Sequence, residues 1–185
     1  MSEHVCPVWI GYLLASPIRK LFQNPRTLLN PYINEGMKVM DIGSAMGFFS
    51  IPMAKMVGAN GKVICIDLQQ KMLDVLRKKA RKAGVSGRLE LRKCSSSSLE
   101  INDLENQIDF ALASAVLHEV PDVSILFKEV YHAFKKNGRM LIAEPEGHVT
   151  KSDFQVTLNA AKAAGFILVS QPKVAKSLTA LVEKE

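Results

Sequence analysis

The run Asp41-Ile42-Gly43-Ser44-Ala45-Met46-Gly47 sets an acid ahead of a glycine-rich turn, and a second acid, Asp67, stands 20 residues beyond Gly47. Glycine and other small residues let a ligand come close to the backbone. A helix starting after such a turn offers it unpaired N–H groups. An acid at the place of Asp67 can accept both hydroxyls of a ribose. Later in the chain, Cys94-Ser95-Ser96, Ala113-Ser114-Ala115 and Leu117-His118-Glu119 add hydroxyls, an imidazole and a carboxylate. The implied chemistry is a nucleoside-type ligand held beside residues able to move a proton. Each piece alone has a plainer explanation. A glycine turn between strand and helix often serves packing only, and a histidine at a strand-to-helix junction is often a cap. Their joint order along the chain gives them weight.

That order depends on the elements that carry them. Residues 38–42 read as a short buried strand ending at the glycine turn, and Ile51, Ala54 and Val57 then keep helical spacing up to Gly58. Residues 62–66 form a second strand, followed by a helix over 70–83 that stops at Gly84. A weaker third strand covers 89–93 and a fourth covers 108–113. Pro121-Asp122 opens a helix whose stripe is Val123, Leu126, Phe127, Val130 and Phe134, ending at Asn137-Gly138. A fifth strand spans 139–143, and Thr150 caps a helix running to about Ala164, with Gly165 as its stop. Residues 166–170 and 178–182 close the chain as two strands with a short connection, the pattern of an antiparallel hairpin. Strands alternating with helices predict an α/β fold: a Rossmann-like three-layer sandwich around a mostly parallel seven-stranded sheet with that C-terminal hairpin. Such sheets take ligands beyond the carboxyl ends of their strands, and every chemical residue named above follows a strand.

Bulk properties narrow the class. A chain of 185 residues suits one domain with a full core, and 48% apolar with 23% charged residues excludes a disordered chain. The apolar stretch from Val5 to Ala15 is broken by Pro7 and Gly11 and is too short to span a bilayer. No secretory signal is visible, so the expectation is a cytoplasmic protein without a membrane span. Cys6, Cys65 and Cys94 lie too far apart for a zinc knuckle or a disulfide framework, and Cys65, inside a strand, should be buried. The net charge of +6 raises the question of nucleic acid. The densest basic run, residues 77–82, falls on the polar face of a helix whose buried stripe is Met72, Leu73, Leu76, Ala80 and Ala83, which reads as a solvated surface.

These residues resemble the class I S-adenosylmethionine-dependent methyltransferases, closely over about residues 30–145, and in particular the ubiquinone/menaquinone-biosynthesis-like branch. The resemblance implies S-adenosylmethionine as cofactor. Asp41, Gly43, Ser44, Ala45 and Gly47 match the first cofactor motif, with Ala45 in place of its middle glycine. Asp67 matches the acid on the ribose, and Leu68 the apolar residue against the adenine. Ser95, with Ser96, stands where the family often has an Asp facing the adenine amino group. Ala113 and Ser114 match the backbone beside the methionine part. His118 and Glu119, just past strand four, are the candidate catalytic residues. The implied reaction is displacement at the sulfonium methyl by an acceptor of small-molecule type. The alternatives from the same sequence are an RNA-binding or RNA-modifying protein and an inactive cofactor-binding module.

Rival motifs fail on position. A dinucleotide fingerprint needs glycines at 45 and 48, where Ala45 and Phe48 stand. Tyr131 and Lys135 imitate the pair of short-chain dehydrogenases, but Tyr131 reads as a packing residue on the flank of a helix. His118-Glu119 lacks the second histidine of a zinc protease, so no metal is expected. Two parts are expected: residues 1–35 as a helical segment roofing the acceptor site, with Trp9, Tyr12, Leu13, Ile18 and Phe22 in partly helical spacing, and residues 36–185 as the cofactor-binding domain.

Overall fold

The computed structural model describes residues 24–185. Most of the expected N-terminal roof lies outside the described residues. The part that is described, α1 (Pro25–Leu29) and the turn after it, packs onto the sheet. Leu29 and Ile33 are buried, and the Tyr32 ring stacks on Phe110 with centroids 5.5 Å apart.

Seven strands form one sheet in the order β3-β2-β1-β4-β5-β7-β6. They are β1 (Lys38–Ile42), β2 (Lys62–Asp67), β3 (Leu89–Lys93), β4 (Ile108–Ser114), β5 (Phe134–Pro145), β6 (Phe166–Ser170) and β7 (Ser177–Lys184). The pairs from β3 through β5 are parallel; β7 runs antiparallel to both β5 and β6, as the hairpin reading predicts. The strand order reverses between β1 and β4, which places the open crevice of such a sheet beyond their carboxyl ends.

Strand alternation divides the core in two. Val39, Val63, Cys65, Phe110 and Leu112 face α1, α2 (Ser50–Met56) and α3 (Gln70–Lys82). Met40, Ile42, Ile64, Ala111 and Ala113 face α4 (Val123–Ala133) and α5 (Lys151–Ala163). Helices therefore cover both faces, and the central strands are buried on both sides, as parallel sheets require. Met72, Leu73, Leu76 and Ala80 are the buried stripe of α3, while Ala83 is its partly buried C-cap; Arg77, Lys78, Arg81 and Lys82 are exposed, and the half-buried Lys79 has its pKa lowered by desolvation. Thr150 caps α5 through a reciprocal capping box with Asp153.

One expected boundary is wrong. The helix after β4 ends at Ala133, four residues short of Asn137-Gly138, and Phe134 is the first residue of β5. Phe134 continues the helical apolar spacing because its ring fills the same core, but its backbone is extended and pairs with Ile108. Asn137 and Gly138 instead make a bulge inside β5. Asn137 has φ +63°, and a Cβ on Gly138 would come within 3.0 Å of the Ile108 carbonyl.

Candidate functional site

The glycine turn is strapped to the end of β2. Gly43 N–H and Ser44 N–H both donate to the Ile66 carbonyl, at 3.0 and 2.9 Å. Ala45 N–H donates to Asp67 Oδ2 at 2.8 Å. Gly43, Ala45 and Gly47 all have positive φ, +72°, +43° and +84°. The two glycines are demanded by packing: a Cβ on Gly43 would lie 2.7 Å from Val116 Cγ2, and one on Gly47 would lie 2.3 Å from Leu76 Cδ1. Ala45 accepts the left-handed conformation without being glycine, at a cost of about 1–2 kcal/mol. Asp41 is buried, and its Oδ2 accepts from the Ser50 hydroxyl at the start of α2, which ties strand to helix beneath the turn. Ser44 Oγ is buried and, among the described residues, has no hydrogen-bond partner. A buried hydroxyl of this kind is costly unless something occupies it.

Asp67 sits at the lip of β2. Besides Ala45 N–H, its Oδ1 accepts Gln69 N–H at 2.8 Å. Burial pushes its carboxyl above the usual carboxylate range, and the two N–H donors oppose that. A carboxylate offers about four lone-pair sites, so two backbone bonds leave capacity for two hydroxyls. Leu68 beside it is partly exposed. Cys94 N–H donates to the Asp67 carbonyl, which aligns the end of β3 with the end of β2. Ser95 and Ser96 follow in an exposed turn, closed by Ser95 N–H to the Ser98 carbonyl at 3.0 Å. The Cys94 thiol, pushed up to about 11 by burial and by the nearby Asp67 charge, is neutral at physiological pH.

Past β4 the chain turns sharply. Ala113 is buried in the strand, Ser114 is partly exposed, and Ala115 has φ +55°. Leu117–Glu119 form one turn of 3₁₀ helix. A buried carboxylate organises this turn. Glu144, near the end of β5 and 1% exposed, accepts Val116 N–H and Leu117 N–H on Oε1, both at 3.0 Å. Its Oε2 meets His118 Nδ1. That contact raises the His118 pKa above the usual histidine value, against the partial desolvation that lowers it. Glu119 is raised by partial desolvation, opposed by His118, and it feels the charge of Asp67. The exposed His148 ring lies edge-on to His118, with centroids 5.9 Å apart. His118, Glu119, Glu144 and His148 are thus grouped past the ends of β4 and β5, with Glu119 within electrostatic reach of Asp67.

The structure brings together the turn at 43–47, Asp67, Leu68, Cys94–Ser96, Ala113–Ser114 and His118–Glu119 at the carboxyl ends of β1 to β4. It adds Glu144 and His148, which the sequence reading missed. The signal was present: Glu144-Pro145 ends an apolar strand just as Asp67 does. The decoy pair is elsewhere. Tyr131 packs edge-on against Phe166, and Lys135 pairs with Asp109 on the surface.

Comparison with known proteins agrees with this geometry. A family described as a methyltransferase domain matches residues 33–183. The chain belongs to this family. A ubiquinone/menaquinone biosynthesis C-methyltransferase, UbiE, of Haemophilus ducreyi is 32% identical over 112 residues, 60% of this chain and 42% of that protein. The chain spans less than half the length of the curated relatives it matches. Among solved structures, a SAM-dependent methyltransferase from Aquifex aeolicus superposes with a TM-score of 0.85 at 24% identity, covering 97% of this chain and 98% of that one. An S-adenosyl-L-methionine-dependent methyltransferase structure from Methanococcus maripaludis gives 0.77 at 16% identity, covering 100% and 97%. At these identities the two structures speak for the fold. The methyltransferase domain thus shares its overall fold with these two structures.

Proposed function

We propose that this chain is an S-adenosylmethionine-dependent methyltransferase acting on a small-molecule acceptor. The observation that carries the reading is the strapped turn: Gly43 to Gly47 held against β2, with Asp67 at its edge and the unpartnered, buried Ser44 hydroxyl beneath it. Asp67 receives the ribose hydroxyls on its remaining lone pairs. Leu68 packs on the adenine, and Ser95 and Ser96 face its amino edge. Gly43, Ser44, Ala45 and Gly47 shape the wall on which the ligand lies, and Asp41 braces that wall through Ser50. Ala113 and Ser114 line the methionine side. When bound, the cofactor supplies a methyl carbon made electrophilic by a positive sulfur.

The protein's part is to hold the acceptor in line with that carbon, an effect of about 7–11 kcal/mol when orientation is good. His118 and Glu119 lie where an acceptor proton would be taken up. The UbiE relatives are named ubiquinone/menaquinone biosynthesis C-methyltransferases, so aromatic hydroxylated acceptors head the panel to be tried. No helix among the described residues is long and apolar enough to cross a membrane, and we place the protein in the cytoplasm on its sequence.

The test is titration calorimetry with S-adenosylmethionine, S-adenosylhomocysteine and NADH. The first two should bind at micromolar levels and raise the melting temperature, by linkage worth about 2.7 kcal/mol at a hundredfold excess over Kd. Binding of NADH with neither of the others would remove the reading.

A further inference from the structure

The His118–Glu144 contact fixes more than the fold of a turn. Glu144 is 1% exposed, and both of its oxygens are committed: Oε1 to two backbone N–H groups, Oε2 to His118 Nδ1. The His118 side chain is 24% exposed. Its Nδ1 edge is anchored on a buried group, so the accessible part of the ring is the far edge that carries Nε2. A carboxylate accepts and does not donate. The neutral imidazole beside it must therefore carry its proton on Nδ1, which leaves Nε2 bare. Glu119, by contrast, has no anchor of this kind among the described residues, and partial desolvation and the Asp67 charge oppose its ionised form.

We infer that Glu144 is a positioning residue that holds His118 as the acceptor-side base, and that the acceptor carries an acidic proton, as a phenol or an enol does. This rests on the methyl-transfer reading above. The step balances. The acceptor's electron pair forms the bond to the methyl carbon. The carbon–sulfur pair stays on sulfur, which becomes a neutral thioether. The acceptor's proton goes to Nε2. One positive charge leaves the sulfur and one appears on the imidazolium, 26 residues in sequence from the buried carboxylate that meets it. Charge thus moves toward Glu144 as the reaction proceeds, where a fixed opposite charge stabilises it without reorganisation. The groups facing His118 are Glu144 from β5, Glu119 on its own turn and His148 from the loop after β5.

Glu144→Gln makes a specific prediction. The amide oxygen stays with the Val116 and Leu117 N–H groups, because only an acceptor fits there. The amide NH₂ then faces Nδ1, which must become the acceptor, and the proton moves to Nε2. The test is nitrogen-15 NMR of histidine rings in the full chain saturated with S-adenosylhomocysteine, with His118 assigned through H118N. The wild type should show the Nδ1–H form, and E144Q the Nε2–H form with a lower titration midpoint. Phenol added to the wild-type complex should shift the Nε2 resonance, and N,N-dimethylaniline, which has no acidic proton, should not.

A wild-type ring in the Nε2–H form overturns the inference even if E144Q does not fold. So does an E144Q ring unchanged in form and midpoint. Equal responses to the two aromatic probes, or none to phenol, overturn the acceptor class. Calorimetry on the same wild-type sample separates the two readings. Absence of S-adenosylhomocysteine binding strikes the methyl-transfer reading itself, whereas binding with the wrong tautomer strikes only the assignment of Glu144 and His118.

Discussion

Asp67 concentrates the cofactor hypothesis in one side chain. It is nearly buried, it straps the glycine turn, and two backbone N–H bonds leave part of its accepting capacity unused. Charge-assisted hydrogen bonds contribute about 1.5–3 kcal/mol each, so the loss of even one of them in Asp67→Ala should weaken S-adenosylhomocysteine binding by at least roughly ten- to a hundredfold. Calorimetry reads this directly, and an unchanged Kd removes Asp67 from the site. Ala45 is a second single-residue case. Its φ of +43° is a conformation that glycine adopts freely. Relief of about 1–2 kcal/mol of strain outweighs the roughly 0.4–1 kcal/mol lost to a looser unfolded chain. Ala45→Gly should therefore stabilise the protein, by about 0.5–1 kcal/mol in urea unfolding. A net loss of stability would show that the turn holds Ala45 without strain.

The elements meet where β4 and β5 end, and the strongest pH dependence is expected there. The folded state raises the His118 pKa above about 6.5, the usual histidine value. A raised histidine pKa means that the charged ring is favoured on folding. The stabilisation is fully present below the unfolded pKa and is lost as the pH rises through the folded one. The stability difference between the wild type and His118→Ala should therefore be largest near pH 6 and shrink toward pH 9. Denaturant unfolding of both proteins at several pH values measures it. A difference that grows with pH would mean that the Glu144 contact does not favour the charged ring. The neighbouring elements also explain why the two glycines of the turn cannot be replaced at will. Val116 from the β4 turn fills the space at Gly43, and Leu76 from α3 fills it at Gly47, so the turn, the β4 loop and α3 are packed as one unit.

For the whole molecule, residues 24–185 hold a seven-stranded sheet and two core layers. All the groups proposed to touch the cofactor lie from Asp41 onward. A chain beginning at Asn24 should therefore bind S-adenosylhomocysteine within about threefold of the full-length Kd, less than the tenfold that 1.4 kcal/mol represents. Its methyl transfer should fall if the segment over residues 1–35, which we propose as the roof of the acceptor site, needs residues 1–23 for that role. Calorimetry on the shortened chain checks the first part. A large loss of cofactor affinity would place cofactor contacts in the N-terminal residues.

The alternation of strands and helices, the glycine turn after the first strand and the acid after the second are all legible in the residues alone. Each of these is a local matter: hydrophobic period, helix stops and positive-φ residues act over a few positions. The end of α4 is not legible in this way, because Phe134 satisfies the helical spacing while belonging to a strand, and spacing alone does not distinguish the two when the same core takes the ring. Which strand ends lie next to one another is set by the packing of the sheet. The order β2-β1-β4-β5 sets Asp67, the turn and His118 at neighbouring strand ends, and the parallel register of β4 with β5 sets Glu144 against a histidine 26 residues earlier. No local pattern encodes that meeting. It depends on two strands lying side by side, with a carboxylate buried deep enough that backbone N–H groups and an imidazole must satisfy it.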